Sequence, residues 1–267
     1  MLVLLPPSEG KAEGGEGPPV DPASLTLPGL APARRAVLDE LVALCSGDDD
    51  AVEKARTVLG LSPGQRAEVA KNAALRQAPT LPARERYTGV LYDALSFATL
   101  SRPARERAAR SVLIFSGLWG VVGPEDAIPA YRCAGGVKLP GVGGLAAHWR
   151  GPLGEAVPQA AGEGLVLDLR SSAYTGMFKP ARKLAERTAS VRVLHVRTVD
   201  GVEKRSVVSH FNKATKGRLV RELLESGAEP AGPEELAEAL RALGYTIEAQ
   251  EAQAGRVRQF DVVVSEL

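Results

Sequence analysis

The sequence predicts an α/β fold, with α+β as the alternative: a mixed β-sheet flanked by helices. Three observations predict it. Short apolar runs rich in β-branched residues alternate with segments of helical periodicity along the 267 residues. Hydrophobic residues make up 45% and charged residues 24%, the proportions of an ordinary core and surface. No linker-like stretch divides the middle of the chain, so residues 1–267 read as a single domain.

The elements follow in order. Residues 2–5 (LVLL) form a buried strand that Pro6 and Pro7 end. Residues 6–22, rich in Pro, Gly and Glu, are a loop. Residues 32–45 are an amphipathic helix opened by Pro32, with Ala36, Leu38, Leu41, Val42 and Cys45 on its inner side. Ser62, Pro63 and Gln65 form an N-cap, a first-turn proline and a capping-box partner for a helix reaching residue 75. Residues 79–85 read as a linker, 87–99 as a helix and 103–110 as a short basic helix. Residues 111–116 (SVLIFS) form a short apolar, β-rich run between two serines, as a strand buried on both faces requires, and Gly117 opens a turn. The stretch 150–162 reads as a surface feature. Further strands are expected at 165–169, 191–198 and 207–210, and at the end of 256–264. Further helices are expected at 179–188, 213–226 and 233–243.

Composition excludes several function classes. The net charge of +1 gives no global field for nucleic acid, so any anion site rests on local clustering of Lys and Arg. Cys45 and Cys133 have no metal-type spacing and suit a reducing compartment. His148, His195 and His210 are too scattered to suggest a metal site, and no cofactor fingerprint is present. No apolar run approaches the roughly 20 residues of a membrane span and no signal peptide is visible, so a cytoplasmic chain is expected. Aromatic residues, at 4%, argue against a wide base-stacking platform.

Four segments carry residue types suited to chemistry. Pro7-Ser8-Glu9-Gly10-Lys11 follows the first strand, where α/β sheets tend to bind ligands; it is a surface loop, or one that contacts an anion or moves a proton. It lacks the spacing of a phosphate-binding P-loop. Residues 116–138 follow the strongest strand with glycines and with Tyr131, Arg132 and Lys138, which could donate to phosphate or carboxylate. Within this run, Gly117-Leu118-Trp119-Gly120 loosely resembles the hairpin of a helix-hairpin-helix element; the alternative is a tight turn over a buried Trp119. Asp168 ends an apolar strand and is either the ion-pair partner of Arg170 or an acid with a raised pKa. Lys213, Lys216, Arg218 and Arg221 lie near the start of a helix, where cations oppose the macrodipole unless an anion binds there.

Taken together, these segments resemble the YaaA family of bacterial peroxide-stress proteins. The resemblance runs through LVLLPPSEGK at the start, Tyr87 to Leu95, Ser116 to Arg132, Asp168 to Tyr174 and Asn212 to Arg221. The sequence departs from the commoner family pattern at Gly123 and Ala173, where many members carry Arg and Glu. The resemblance implies an unusual α/β fold with a helix-hairpin-helix element, DNA binding and protection from oxidative damage. It places Lys11, Tyr131, Arg132, Lys138, Lys213, Lys216, Arg218 and Arg221 in a basic cleft. From the residues themselves no cofactor is expected, and two cysteines with three scattered histidines make any effect on iron indirect. The alternative is an enzyme acting on a nucleoside, nucleotide or base by glycosidic hydrolysis or lyase chemistry, with Glu9, Lys11, Asp168 and Lys213 as candidate catalytic groups.

Overall fold

The computed structural model describes residues 1–199, 202–250 and 253–264. The chain begins with β1 (Leu2–Leu5), then α1 (Ala31–Cys45), α2 (Asp49–Val58), α3 (Arg66–Ala73), β2 (Thr80–Pro82), α4 (Ala83–Arg86), α5 (Val90–Leu95) and α6 (Arg102–Ser111). Then come β3 (Val112–Ser116), β4 (Gly120–Val122), β5 (Ala127–Pro129), β6 (Lys138–Leu139), β7 (Gly143–Gly144), α7 (Leu145–Ala161), β8 (Val166–Asp168), α8 (Ser172–Thr175) and α9 (Arg182–Glu186). The last part holds β9 (Thr188–Val199), β10 (Val202–Ser206), α10 (Ser209–Ser226), α11 (Pro233–Ala242), β11 (Thr246–Ala249) and β12 (Arg258–Val264).

The main sheet has the order β11-β12-β9-β8-β1-β3-β4, with β10 folded back on the second half of β9. From β12 to β3 the neighbours run parallel, while β4 and β11 are antiparallel edges. Parallel strands are covered on both faces, which explains why β1 and β3 are buried at every position and apolar at all but Ser116. The architecture is the expected mixed sheet flanked by helices. Its order sets the location of the site. From β1 the chain crosses to β3 on one side, and β8 later fills the other side of β1. A crevice opens at such a switch point, beyond the carboxyl ends of β1 and β8.

Several elements differ from the sequence expectation. The 87–99 helix shrinks to the six residues of α5, because Ser96 adopts a left-handed conformation (φ 47°) and a 3-10 turn follows. The 79–85 linker is β2 paired with β5, followed by α4. The 150–162 stretch belongs to α7, a 17-residue helix with Pro152 and Pro158 inside it. Trp149, Leu153 and Val157, four residues apart and fully buried, hold α7 to the core despite the prolines. The strand expected at 207–210 is instead the loop into α10, whose first residue is Ser209; the strand before it is β10. The inner side of α1 carries Arg34 and Val37, whereas Ala36 is exposed. Buried Arg34 donates only to carbonyls, those of Trp119 and Val121 on one side and of residues between Pro22 and Leu27 on the other. It thereby ties the early loop to the sheet edge.

The Gly117–Gly120 segment joins the antiparallel strands β3 and β4, not two helices. It is buried, and the Trp149 indole donates to the Gly117 carbonyl at 2.8 Å. A Cβ at Gly120 (φ 73°) would come within 2.7 Å of that indole.

Candidate functional site

A cleft of about 510 Å³ occupies the crevice. One wall is the loop after β1, from Pro6 to Gly10; another is the loop after β8, through Leu169, Ser171 and Tyr174. The start of α5 (Thr88 to Tyr92) and the face of α10 carrying Asn212, Lys213 and Lys216 complete it. Tyr92 braces the first loop by donating to the Pro6 carbonyl at 2.7 Å. Ser8 Oγ donates to the Gly10 carbonyl at 2.5 Å and accepts from the Thr88 amide at 3.1 Å.

The position of α10 depends on Gly217. A Cβ there would sit 2.2 Å from the Leu91 carbonyl oxygen, so only glycine lets α10 lie this close to α5. Lys213, one turn earlier, and Lys216, next to Gly217, face the cleft. Among the described residues neither has a carboxylate within the 4.0 Å of a salt bridge. The Lys216 ammonium is 3.5 Å from the Leu169 carbonyl, and burial lowers its pKa, with Asp168 opposing the shift.

The Glu9–Lys11 loop separates this cleft from a second chamber of about 210 Å³, which also includes Tyr131 and Arg132. Arg132 Nη2 is 3.3 Å from Glu9 Oε2, and Arg132 Nη1 donates to the Glu9 carbonyl at 2.9 Å. Lys11 Nζ donates to the Ser8 carbonyl at 3.0 Å and lies 4.3 Å from the centre of the Tyr131 ring. Burial lowers the Lys11 pKa to about 8; Glu9 works against this and Arg132 adds to it. Tyr131 itself is buried, its hydroxyl 2.9 Å from that of Tyr87 and 2.6 Å from Ser116 Oγ.

The structure therefore brings together Glu9, Lys11 and Arg132 around one loop, and Lys213 and Lys216 along one helix face. It does not gather the rest. The Tyr131 hydroxyl is spent on internal hydrogen bonds. Lys138 is on β6 beside α1 and lines neither chamber. Arg218 is exposed and 3.4 Å from Thr215 Oγ1, outside both chambers. Arg221 donates to the Leu95, Ser96 and Thr99 carbonyls and so caps the end of α5. Asp168 is clamped by Arg170 at 2.8 and 2.6 Å. Tyr92, Tyr174, Thr88 and Asn212 were not among the sequence candidates, yet all four line the cleft. Asn212 carries the strongest signal: its Oδ1 is buried without a hydrogen-bond partner.

Among the described residues no group of His, Cys, Asp and Glu side chains could hold a metal ion. No described helix is long and apolar enough to cross a membrane.

Comparison with known proteins is consistent along the chain. A UPF0246 protein of Streptomyces coelicolor is 61% identical over 268 residues, covering 100% of both chains. One from Corynebacterium efficiens is 42% identical over 268 residues, covering 99% of this chain and 100% of its own. An uncharacterized protein of Campylobacter jejuni is 28% identical over 223 residues, 82% of this chain and 83% of its own. A family model described as peroxide stress protein YaaA matches residues 1–251, and the chain belongs to that family.

Proposed function

We propose that the chain binds DNA through the phosphate backbone in the β1/β8 cleft, in the cytoplasm, and in this way limits oxidative damage during peroxide stress. Family membership supports the stress-response role. One observation carries the binding reading: Lys213 and Lys216 line a roomy cleft at the switch point of the sheet with no carboxylate beside them. Lys216 is partly desolvated there while Lys213 is exposed, and an anion in the cleft would offset the cost of holding Lys216 out of water. The patch is smaller than the sequence suggests, since Arg132 and Arg221 are engaged elsewhere. Binding is accordingly modest in affinity and reads little sequence.

Fluorescence anisotropy of a labelled duplex oligonucleotide, titrated with protein at rising salt, tests this. The affinity should fall steeply with salt, because each phosphate contact releases counterions. No binding at low salt, or binding indifferent to salt, would reject the reading.

The alternative, an enzyme acting on a nucleoside or base through a carboxylate–lysine pair, has less support. Glu9 and Asp168 both lie near the chambers, but each is held by an arginine and neither is within 4.0 Å of a lysine ammonium.

A further inference from the structure

Among the described residues, every charged side chain lining the smaller chamber is in a salt bridge except Lys11. Lys71 binds Glu13 at 2.6 Å and Glu68 at 2.9 Å. Arg132 is held to Glu9. Among the described residues Lys11 has no carboxylate within salt-bridge range, its Nζ resting on one backbone carbonyl above the Tyr131 ring. The ring face stabilises an ammonium, but by less than a carboxylate would. Beneath the amine, Tyr131, Tyr87 and Ser116 satisfy one another, and burial drives both phenols well above their usual range. The floor therefore offers Lys11 neither an anion nor an acid. A buried amine with no carboxylate in salt-bridge range gives up its proton more readily than an exposed lysine, and the uncharged amine is the nucleophile. The shift of Lys11 to about 8 agrees with this geometry.

We propose that Lys11 is an amine nucleophile that forms an imine with an aldehyde or ketone admitted to this chamber. The Nζ lone pair attacks the carbonyl carbon, and the C=O π electrons move to oxygen, which takes a proton. The carbinolamine then loses water and the nitrogen gives up its remaining extra proton, leaving C=N. One amine and one carbonyl become one imine and one water, with no oxidant or reductant consumed. Because Glu9 is tied to Arg132, the protons in these steps pass to and from water. The chamber's volume of about 210 Å³ suits a small aldehyde or the open-chain end of a sugar. The inference does not depend on the phosphate reading of the larger cleft.

Reductive trapping on the whole chain tests it. The protein is incubated at pH 8 with propionaldehyde and cyanoborohydride, and the modified peptides are quantified by mass spectrometry. Lys11 should be alkylated at least about tenfold faster than exposed Lys54, and the excess should vanish in Lys11→Arg. A second arm offers duplex DNA bearing an abasic site, with borohydride as the trap. A cross-link at Lys11 supports the proposal with a nucleic-acid carbonyl, and propionaldehyde labelling alone supports it with a small free carbonyl. Lys11 labelled no faster than Lys54, with no cross-link, overturns it. The reading is taken on the unmodified sequence, so a misfolded variant cannot rescue or sink it. DNA affinity measured on the same sample keeps its failure distinct from failure of the cleft.

Discussion

Arg170 closes a two-pronged clamp on Asp168, with Nε 2.8 Å from Oδ1 and Nη2 2.6 Å from Oδ2. The guanidinium lies 4.4 Å from the centre of the Phe115 ring, and its side chain is 1% exposed. A third donor, the Arg170 amide, reaches Oδ1 at 3.1 Å. An acid held this way is a structural anchor for the loop after β8. Asp168→Ala leaves the guanidinium buried and unpaired and should cost about 3–5 kcal/mol. Urea denaturation at pH 7 checks this. A variant of unchanged stability that has lost a chemical activity would restore Asp168 as a reactive acid.

The contact between Gly217 and Leu91 predicts a second outcome. Gly217→Ala would normally favour a helix by about 1 kcal/mol. Here the new methyl meets a backbone carbonyl that cannot swing away. The variant should be destabilised by about 1–3 kcal/mol, the range of an overpacked core. DNA affinity should fall with it, because α10 carries the cleft lysines. A thermal melt and a binding isotherm on the same sample read both effects.

Lys11 makes stability depend on pH. Its folded pKa of about 8 lies below the usual lysine value of 10.5. Between these two values the unfolded chain binds more protons than the folded one, so stability contributed by this site rises with pH. Below about pH 8 both states are protonated and the folded state carries the full cost of the buried charge. Lys11→Met should therefore be the more stable chain at pH 7, with its advantage shrinking from about pH 8 to 10.5. The groups that face Lys11 are Glu9, Arg132, Cys133, Glu68 and the rings of Tyr87 and Tyr131. Comparing the two chains across this range cancels titrations common to both. A constant difference across the range would contradict the shift.

The two cysteines should be inert. Both thiols are buried, and burial pushes Cys45 up to about 11 and Cys133 up to about 12. Thiolate is the reactive form, so an aromatic disulfide reagent should label neither thiol in the native chain at pH 7 and both in denaturant. Rapid native labelling, or hydrogen peroxide oxidation ahead of unfolding, would mean that the chain senses peroxide through a thiol.

Much of this fold was legible in the sequence, because its central strands are short and apolar on both faces. Leu2–Leu5 and Val112–Ser116 could be recognised from composition alone. Thr246–Ala249 could not, since only Ile247 is buried and the strand pattern is weak. In α7 the two prolines masked a helix that Trp149, Leu153 and Val157 sustain through tertiary burial. For the site, the sequence could nominate lysines and arginines but not say which would find partners. Arg221 is occupied by carbonyls of residues 95–99, more than a hundred positions away in sequence. Arg218 follows Lys216 by two residues, and helical geometry turns it away from the face that Lys213 and Lys216 share. Tyr131 and Arg132 are adjacent, yet one is interior and the other paired with Glu9.

The most direct test of the central claim is the salt dependence of duplex DNA binding for the Lys213→Glu, Lys216→Glu double variant beside Arg218→Glu. If α10 presents a phosphate-binding wall, the double variant should bind at least about tenfold more weakly at low salt. The slope of log affinity against log salt should also flatten by about 0.9 for each lost contact. Arg218→Glu, outside the cleft, should bind nearly as the unmodified chain does. Equal losses in the two variants, or an unchanged slope in the double variant, would contradict the claim that this cleft holds the phosphates.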